Sequence, residues 1–322
     1  MKAQKNNRKG LSHIYLDEEQ EKQSNVALGI LCRAIGHNLK ITYINSKRNA
    51  FQIIDSFSAY LLKNINFFDY DSFCLDYIKN NDLIIFDNFS FSHLSINQID
   101  EILINKKKQT EIIFVFKKQK EFNAIKKKFD LISQYKYTKN PKGRNNITNI
   151  YGNGKGKSTY VFGRAIKELI NNNIKNNNQT LQIIYFDKGG DFYGEKYFFT
   201  KLNKAKLNFN YKSYGLSRIE NNEFRYTNIP QDIKEAQKGL LEIKNSFQID
   251  LLIADELNTT IDSKLLKEEE IIKVLKSIKN QILISGRTTN KKIIEIAKYK
   301  IEVIGQKHYF DKNYGCKKGI DL

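Results

Sequence analysis

The stretch that decides the fold reads Gly152-Asn153-Gly154-Lys155-Gly156-Lys157-Ser158-Thr159. Closely spaced glycines let backbone N–H groups turn towards an anion, the lysines add positive charge, and a hydroxyl at Ser158 is of the type that reaches a nucleotide-bound Mg²⁺. Residues 149–151 have the character of a strand end and residues 160–170 that of a helix, which is the order of a phosphate-binding loop. The stretch therefore predicts a polyphosphate substrate.

The glycine spacing departs from the general phosphate-loop pattern at one position. That pattern has a glycine five residues before Gly156, where this chain has Tyr151, and the first glycine comes one residue later at Gly152. The alternative is a surface turn rich in glycine and lysine. Such a turn does not account for the strand before the loop, the helix after it and the Lys157-Ser158 pair, so we favour a phosphate-binding loop.

The composition limits the classes of protein to which the chain can belong. Its 322 residues suffice for one large domain or two ordinary ones, and a formal net charge of +19 attracts polyanions, including nucleic acid. The charge is spread along the chain without a basic stripe, so we expect a solvated surface and no nucleic-acid partner. Three cysteines without a C-x-x-C spacing indicate neither a disulfide framework nor a zinc site, and no apolar run approaches about 18 residues. We therefore expect a cytoplasmic protein without a membrane span.

The same order of strands and helices occurs twice along the chain. Apolar runs alternate with helical patterns in both halves, which is typical of parallel α/β units. The predicted strands are residues 12–16, 40–45, 82–87, 111–116 and 134–137 in the first half, and residues 147–151, 181–186, 250–255, 281–285 and 300–304 in the second. Gly29 of the first half matches Gly163 of the second. We therefore predict an ancient duplication, with residues 139–146 as the linker.

The two copies differ where the phosphate loop is expected. The first copy has Asp17-Glu18-Glu19-Gln20-Glu21-Lys22-Gln23, which lacks glycines and whose carboxylates repel a triphosphate. A favourable charge at a helix N-terminus also explains Asp17 and Glu18. The second copy has Asp255-Glu256 after an apolar strand, where a carboxylate can approach Mg²⁺, and the first copy has Asp87-Asn88 instead. The first copy is therefore predicted to be non-catalytic.

A series of motifs in the second half resembles a known family. The motifs are residues 152–159, Phe162-Gly163, Phe186-Asp187-Lys188-Gly189, Gly194-Glu195, Asp255-Glu256-Leu257, Ser285-Gly286-Arg287, Lys307-His308 and Lys318-Gly319-Ile320-Asp321. In order and spacing they resemble the P-loop type of corrinoid (cob(I)alamin) ATP:adenosyltransferase, from about Ile147 to the C-terminus. That family also has the late first glycine. The first half is more faintly similar, at residues 27–29, 32–37 and 40–41.

This resemblance implies a fold and a reaction. The fold is α/β, with two tandem RecA-like P-loop parallel-sheet domains: a degenerate copy without the P-loop at residues 1–140 and a catalytic copy at residues 141–322. The reaction is transfer of the 5′-deoxyadenosyl group of ATP to the Co(I) of a reduced corrinoid, which is cobalamin, cobinamide or cobyrinic acid a,c-diamide, in adenosylcobalamin biosynthesis or salvage. Cobalt attacks the 5′ carbon and triphosphate leaves, so the loop stabilises charge on the leaving oxygens. The implied cofactors and partners are ATP, Mg²⁺ or Mn²⁺, the corrinoid, and an electron donor such as a flavoprotein that reduces Co(II).

The resemblance also implies roles for individual residues. Lys155, Lys157 and Glu256 are the predicted catalytic residues. The predicted ATP contacts are Gly152, Asn153, Gly154, Lys155, Gly156, Lys157, Ser158, Thr159 and Lys167. The predicted metal ligands are Ser158, Asp255 and Glu256, and the predicted corrinoid or nucleoside contacts are Glu195, Tyr214, Leu216, Arg218 and Asn258.

Three positions depart from the family pattern. Characterised relatives have phenylalanine and tryptophan where this chain has Leu216 and Arg218, and those aromatics help to remove the lower axial ligand of cob(II)alamin. Lys167 stands where relatives commonly have arginine, which exchanges a planar fork for a point charge. A simpler corrinoid such as cobinamide is therefore a better-supported substrate than complete cobalamin.

The role of the first copy and the reaction class have alternatives. Members of the family typically form homodimers, so the first copy is expected to replace the second subunit in an intramolecular pseudo-dimer. The alternatives are that the first copy is a folding appendage with no interface role, and that the chain forms a homodimer. A nucleic-acid-dependent ATPase of RecA-like fold and a non-enzymatic carrier of corrinoid or nucleotide are the other functions that the sequence allows.

Overall fold

Apolar runs form the strands of one large sheet, and the amphipathic segments between them form helices on both of its faces. The structure is a computed structural model that describes residues 9–19, 24–45, 62–174, 179–186, 189, 193–203, 209–217, 219–220, 223–225, 227–288, 290–312 and 314–321. The strands are β1 (Ser12–Asp17), β2 (Ile41–Asn45), β3 (Ile65–Phe68), β4 (Leu83–Phe89), β5 (Glu111–Phe116), β6 (Leu131–Lys139), β7 (Arg144–Tyr151), β8 (Leu181–Phe186), β9 (Phe209–Tyr214), β10 (Ile219–Glu220), β11 (Glu223–Phe224), β12 (Leu251–Asp255), β13 (Gln281–Ser285) and β14 (Ala297–Lys307). The helices are α1 (Asn25–Gly36), α2 (Ile96–Asn105), α3 (Gln119–Ile125), α4 (Lys157–Ile174), α5 (Gly194–Asn203), α6 (Pro230–Asn245), α7 (Thr259–Asp262), α8 (Glu268–Ser277) and α9 (Lys291–Ile296). Among the described residues, no helix is long and apolar enough to cross a bilayer.

The large sheet has the same strand order in its two halves. From the centre outwards, the first half runs β6-β1-β5-β4-β2-β3 and the second half runs β14-β7-β13-β12-β8-β9. Strands within each half are parallel, and the halves join where β6 pairs antiparallel with β14. An approximate two-fold axis through this central pair therefore relates the two halves, in the manner of a self-complementary dimer interface.

The observed sheet agrees with the predicted α/β class. Every predicted strand overlaps an observed one, but the edge strands β3 and β9 and the β10–β11 hairpin were not predicted. The predicted linker at residues 139–146 is shorter in the structure, because β6 extends to Lys139 and β7 begins at Arg144. Common ancestry of the two halves and the boundary near residue 140 stay predictions.

Three apolar cores hold the layers together. On one face of the sheet, α1, α4 and α5 cover a single core that includes strands of both halves. On the opposite face, α2 and α3 cover a core under the first half, and α6, α8 and α9 cover a separate core under the second. Because the two halves share this core, they pack directly against each other and are not connected by the linker alone.

Helices α1 and α4 cross at two glycines across the approximate axis. A Cβ atom on Gly29 would lie 1.8 Å from the carbonyl oxygen of Thr159, and one on Gly163 would lie 1.7 Å from that of Asn25. Each glycine therefore contacts the residue one helical turn before the other glycine. Any side chain at either position would force the helices apart, and this close crossing brings the start of α1 beside the phosphate loop.

Candidate active site

The predicted phosphate loop lies at the C-terminal end of β7 and leads into α4. Strand β14 holds its position: the Gly154 N–H donates to the carbonyl oxygen of Val303 at 2.7 Å, and the Gly305 N–H donates to Asn153 Oδ1 at 3.1 Å. Gly156 has a φ of +115°, a left-handed conformation that favours glycine. The backbone is thus bent into a compact loop at the end of the sheet where α/β proteins bind ligands.

The two lysines of the loop have different partners. Lys157 is 8% exposed, and its ammonium donates to the carbonyl oxygen of Gly154 at 2.7 Å. The Lys155 ammonium contacts the Tyr309 hydroxyl and the Asp321 carboxylate and lies 4.6 Å from the centre of the Tyr309 ring. Lys157 therefore stays within the loop, whereas Lys155 connects the loop to the C-terminal segment.

The predicted metal carboxylates lie at the end of β12, separated from the loop strand by β13. The Ser285 hydroxyl at the end of β13 donates to Asp255 Oδ1 at 2.6 Å and accepts the Glu256 N–H at 3.3 Å. Glu256 has a φ of +63°, and Asn88 at the matching position of the first half has a φ of +52°. A left-handed conformation is costly for glutamate and is tolerated by asparagine, so the same backbone corner follows the strand in each half but is strained only at Glu256.

The donor set suits Mg²⁺ that is bound together with a nucleotide. Among the residues that the structure describes, no three histidine, cysteine or acidic side chains form a cluster that could hold a metal by themselves. Mg²⁺ in nucleotide sites commonly takes one or two carboxylates and completes its shell with phosphate oxygens and water. Asp255 offers one carboxylate, and the Ser158 hydroxyl at the start of α4 offers one further oxygen. The predicted ligands therefore fit a Mg²⁺ ion that is bound together with ATP.

Two residues that were predicted to contact ligands, Lys167 and Glu195, lie beside charged groups of the protein in this structure. Lys167 lies ten residues beyond Lys157 on α4, about 15 Å along the helix axis, and its contact with ATP stays a prediction. Burial lowers the pKa of Lys167 to about 8, while Glu19 and Asp17 of the first half oppose that shift. The carboxylate of Glu195 is fully buried against Arg33 of α1, so the structure gives its predicted corrinoid contact no open surface.

Arg33 is a residue of the first half that supports the second. Its Nε donates to Glu195 Oε2 at 2.9 Å, and its Nη1 donates to the carbonyl oxygen of Ile320 at 2.9 Å. Arg33 and Lys167 each follow a matched glycine, Gly29 or Gly163, by one helical turn. Each basic side chain thus faces acidic residues of the opposite half, and Arg33 was not among the predicted site residues.

The other predicted corrinoid or nucleoside contacts have diverse surroundings. Asn258 is fully buried and its amide donates to Asn149 Oδ1 at 2.7 Å, which gives it a structural role. The Tyr214 hydroxyl donates to Glu242 at 3.1 Å, and Leu216 is partly exposed beside Gly189. Arg218 lies outside the described residues. Tyr214 and Leu216 therefore remain predicted corrinoid contacts, and the structure assigns them no other function.

In the first half, carboxylates of the protein itself lie at the start of α1, the position that corresponds to the phosphate loop before α4. Ser24 caps α1; its hydroxyl donates to Asp17 at 2.6 Å and its backbone N–H donates to Asp87 at 3.2 Å. The Tyr43 hydroxyl also donates to Asp87, at 2.6 Å. A helix N-terminus favours an anion, and here that anion belongs to the protein. The predicted non-catalytic role of this half agrees with that arrangement; residues 20–23 of its acidic loop lie outside the described residues.

The buried carboxyl of Asp87 leads to a pH-dependent stability. Burial raises its pKa from 3.8 to about 6. The folded protein therefore holds this proton where the unfolded chain has lost it, so the group favours folding below about pH 4 and this contribution is lost as the pH rises through 6. Relative to Asp87→Asn, which does not titrate, the free energy of unfolding of the unmodified protein should fall by on the order of 2 kcal/mol from pH 4 to pH 7. Urea unfolding of both proteins measures this difference, and a difference independent of pH would contradict it.

Comparisons with known proteins agree with the phosphate loop and the motifs that follow it. Residues 143–322 match the family model described as ATP:corrinoid adenosyltransferase BtuR/CobO/CobP. The chain is 26% identical over 172 residues to the corrinoid adenosyltransferase of Escherichia coli (strain K12), an alignment that covers 53% of this chain and 82% of that protein. It has the same identity and coverage with the corrinoid adenosyltransferase CobA of Salmonella typhimurium (strain LT2).

A third relative extends the similarity into the first half. The uncharacterized protein all2391 of Nostoc sp. (strain PCC 7120) is 30% identical over 243 residues, which cover 71% of this chain and 62% of that protein. This alignment is longer than residues 143–322 and so includes part of the first half. The chain spans less than two thirds of the Nostoc protein. Because the family model matches more than half of the sequence, from β7 to the C-terminus, the chain belongs to the ATP:corrinoid adenosyltransferase family.

Proposed function

We propose that the chain transfers the 5′-deoxyadenosyl group of ATP to the cobalt of a reduced corrinoid and releases triphosphate. The observation that carries this proposal is the phosphate loop at residues 152–159, with Lys157 inside it, within the region that matches the family. A carbon–cobalt bond forms with the electron pair of Co(I), and the bond between C5′ and the phosphate oxygen breaks. Triphosphate takes the bonding pair with it.

In this reaction the residues of the loop act on the leaving group. The amide groups of the loop and the ammonium of Lys157 would stabilise charge that develops on triphosphate, where fixed donors are most effective. Ser158 and Asp255 would hold Mg²⁺ on the phosphates, which adds positive charge to the same leaving group. No protein nucleophile is needed, because the corrinoid supplies one. Glu256, on the strained corner next to Asp255, would orient the metal shell.

The corrinoid substrate is proposed to be a simple one. The chain has no tryptophan, and Leu216 stands in the segment where relatives carry an aromatic residue. Leucine excludes water but offers no stacking surface, so removal of a lower axial ligand is less well supported than reaction with cobinamide. An external electron donor, such as a flavoprotein, would supply Co(I).

An anaerobic assay tests the proposed reaction. Purified protein, ATP, Mg²⁺ and chemically reduced cobinamide or cobalamin are mixed, and loss of the Co(I) absorbance and release of triphosphate are followed. We expect both to occur at equal rates, with cobinamide the better substrate. Absence of adenosylation with either corrinoid, together with ATP hydrolysis that DNA or RNA stimulates, would replace this proposal with a nucleic-acid-dependent ATPase.

We further propose that the first half takes the place of a second subunit. The reason is the approximate two-fold axis through β6 and β14, with a shared core under α1, α4 and α5. Because this interface is already occupied within one chain, light scattering after size exclusion should give the mass of one chain, 37.7 kDa, at low micromolar concentration. A stable dimer of full-length chains would contradict a pseudo-dimer and favour the appendage alternative.

A further inference from the structure

One side chain of the first half reaches the phosphate loop directly. The hydroxyl of Tyr135, on β6, donates to the carbonyl oxygen of Gly156 at 3.0 Å. Tyr135 is fully buried, and its ring stacks on that of Tyr160 with 5.6 Å between the ring centres. It lies outside the residues that match the family model. The contact therefore joins the loop to a part of the chain to which the comparisons assign no role.

The bond to Gly156 determines how the loop presents an amide group. In a trans peptide the C=O and the N–H point in opposite directions, so a carbonyl held on one side sends the next N–H to the other. The Gly156 carbonyl oxygen also accepts the Tyr160 N–H at 2.8 Å, the first hydrogen bond of α4. Together the two donors fix the peptide between Gly156 and Lys157. The Lys157 N–H is thereby directed to the opposite side of that peptide, the orientation by which phosphate loops offer amides to an anion.

The fit between Tyr135 and the loop is close and chemically unambiguous. A Cβ atom on Gly156 would lie 2.0 Å from the Tyr135 hydroxyl, so only glycine allows the ring to approach. Burial, with smaller contributions from Tyr15 and Asp17, raises the pKa of Tyr135 well above its usual value. The hydroxyl is therefore protonated at every pH of interest and acts as a donor to the carbonyl.

We infer that Tyr135 is a positioning residue through which the first half holds the phosphate loop in its ATP-binding form. The inference rests on the proposed function, because it assigns the loop to ATP. It makes the first half part of the site without giving it a ligand of its own. The Tyr135 hydroxyl acts through the backbone of Gly156 and does not touch the nucleotide.

The test is Tyr135→Phe in the full-length chain, which removes one hydroxyl and keeps the ring. The Kd for ATP with Mg²⁺, measured by calorimetry, should rise about 5- to 10-fold, the equivalent of one neutral hydrogen bond. The KM for the corrinoid should stay unchanged, since the hydroxyl contacts the backbone of the phosphate loop and none of the predicted corrinoid contacts. The matched control is Tyr160→Phe, which removes a hydroxyl from the same ring stack, where it donates to Glu19 at 2.9 Å. It should leave the Kd for ATP unchanged.

The outcomes separate this inference from the function on which it rests. Equal Kd values for Tyr135→Phe and the unmodified protein would overturn the inference while ATP binding and adenosylation stand. Equal losses in the Tyr135→Phe and Tyr160→Phe variants would overturn it as well, because a general loosening of the ring stack would then explain both. An unmodified protein that does not bind ATP would overturn the proposed function and the inference together.

Discussion

Replacement of Lys157 by alanine is expected to lower the rate of adenosyl transfer at least about 100-fold, the scale of losing a main group that stabilises transition-state charge. Lys157 is buried, and its ammonium lies 2.7 Å from the Gly154 carbonyl oxygen. It is thus held inside the loop, where triphosphate would develop charge as it leaves. Single-turnover measurement with reduced cobinamide gives the rate of the chemical step directly.

A matched variant distinguishes this role from a general loss of positive charge. Lys238→Ala removes the same charge from α6, where the lysine is exposed and paired with Glu235 at 2.8 Å. It should retain normal turnover. Near-normal turnover of Lys157→Ala would refute the leaving-group role. Thermal unfolding of both variants checks that neither has lost its fold.

Replacement of Arg33 by alanine is expected to destabilise the whole protein by about 3–5 kcal/mol, the cost of leaving a buried charge without its partner. Glu195 is fully buried, and its carboxylate accepts from the Arg33 guanidinium at 2.9 Å, so the alanine variant leaves it without this partner. The same variant removes the Arg33 donor from the Ile320 carbonyl oxygen. Urea unfolding measures the loss of stability.

Arg164→Ala is the control for this prediction. Arg164 pairs with Glu168 one turn along α4 at 2.6 Å, and both side chains are partly exposed, so water can solvate the remaining glutamate. Its replacement should cost about 1 kcal/mol or less. If Arg33→Ala and Arg164→Ala destabilise the protein equally, the pair between the halves is not an important source of stability.

Strands covered on both faces could be predicted from the sequence, and edge strands could not. Leu83–Phe89 and Leu181–Phe186 are near-continuous apolar runs because helices cover them from both sides. Strand β9, Phe209–Tyr214, contains only exposed and partly buried residues and, among the described strands, pairs with β8 alone. Its sequence therefore carries a weaker signal, and the same holds for the other edge strand, β3.

The phosphate loop could be predicted because its chemistry is contained in eight consecutive residues. The contacts across the halves could not, because residues far apart in sequence meet only when α1 packs against α4 and α5. Arg33 and Glu195 are 162 positions apart. One signal was present: Arg33 and Lys167 follow the matched Gly29 and Gly163 at equal distances, so the repeat itself marks them as a pair. Their acidic partners, Glu195 for Arg33 and Glu19 with Asp17 for Lys167, do not occupy matching positions of the repeat.

The central strands β6 and β14 have different sequences, whereas the corresponding strands of a symmetric dimer must be identical. In a dimer of identical subunits, every substitution at the interface occurs twice. Here Tyr135 of β6 lies opposite Val303 of β14. A dimer of identical chains would carry this tyrosine in both subunits, whereas the fused chain carries it on β6, in contact with the phosphate loop, without a second tyrosine opposite it. Covalent fusion thus lets one half specialise in support while the other retains the chemistry.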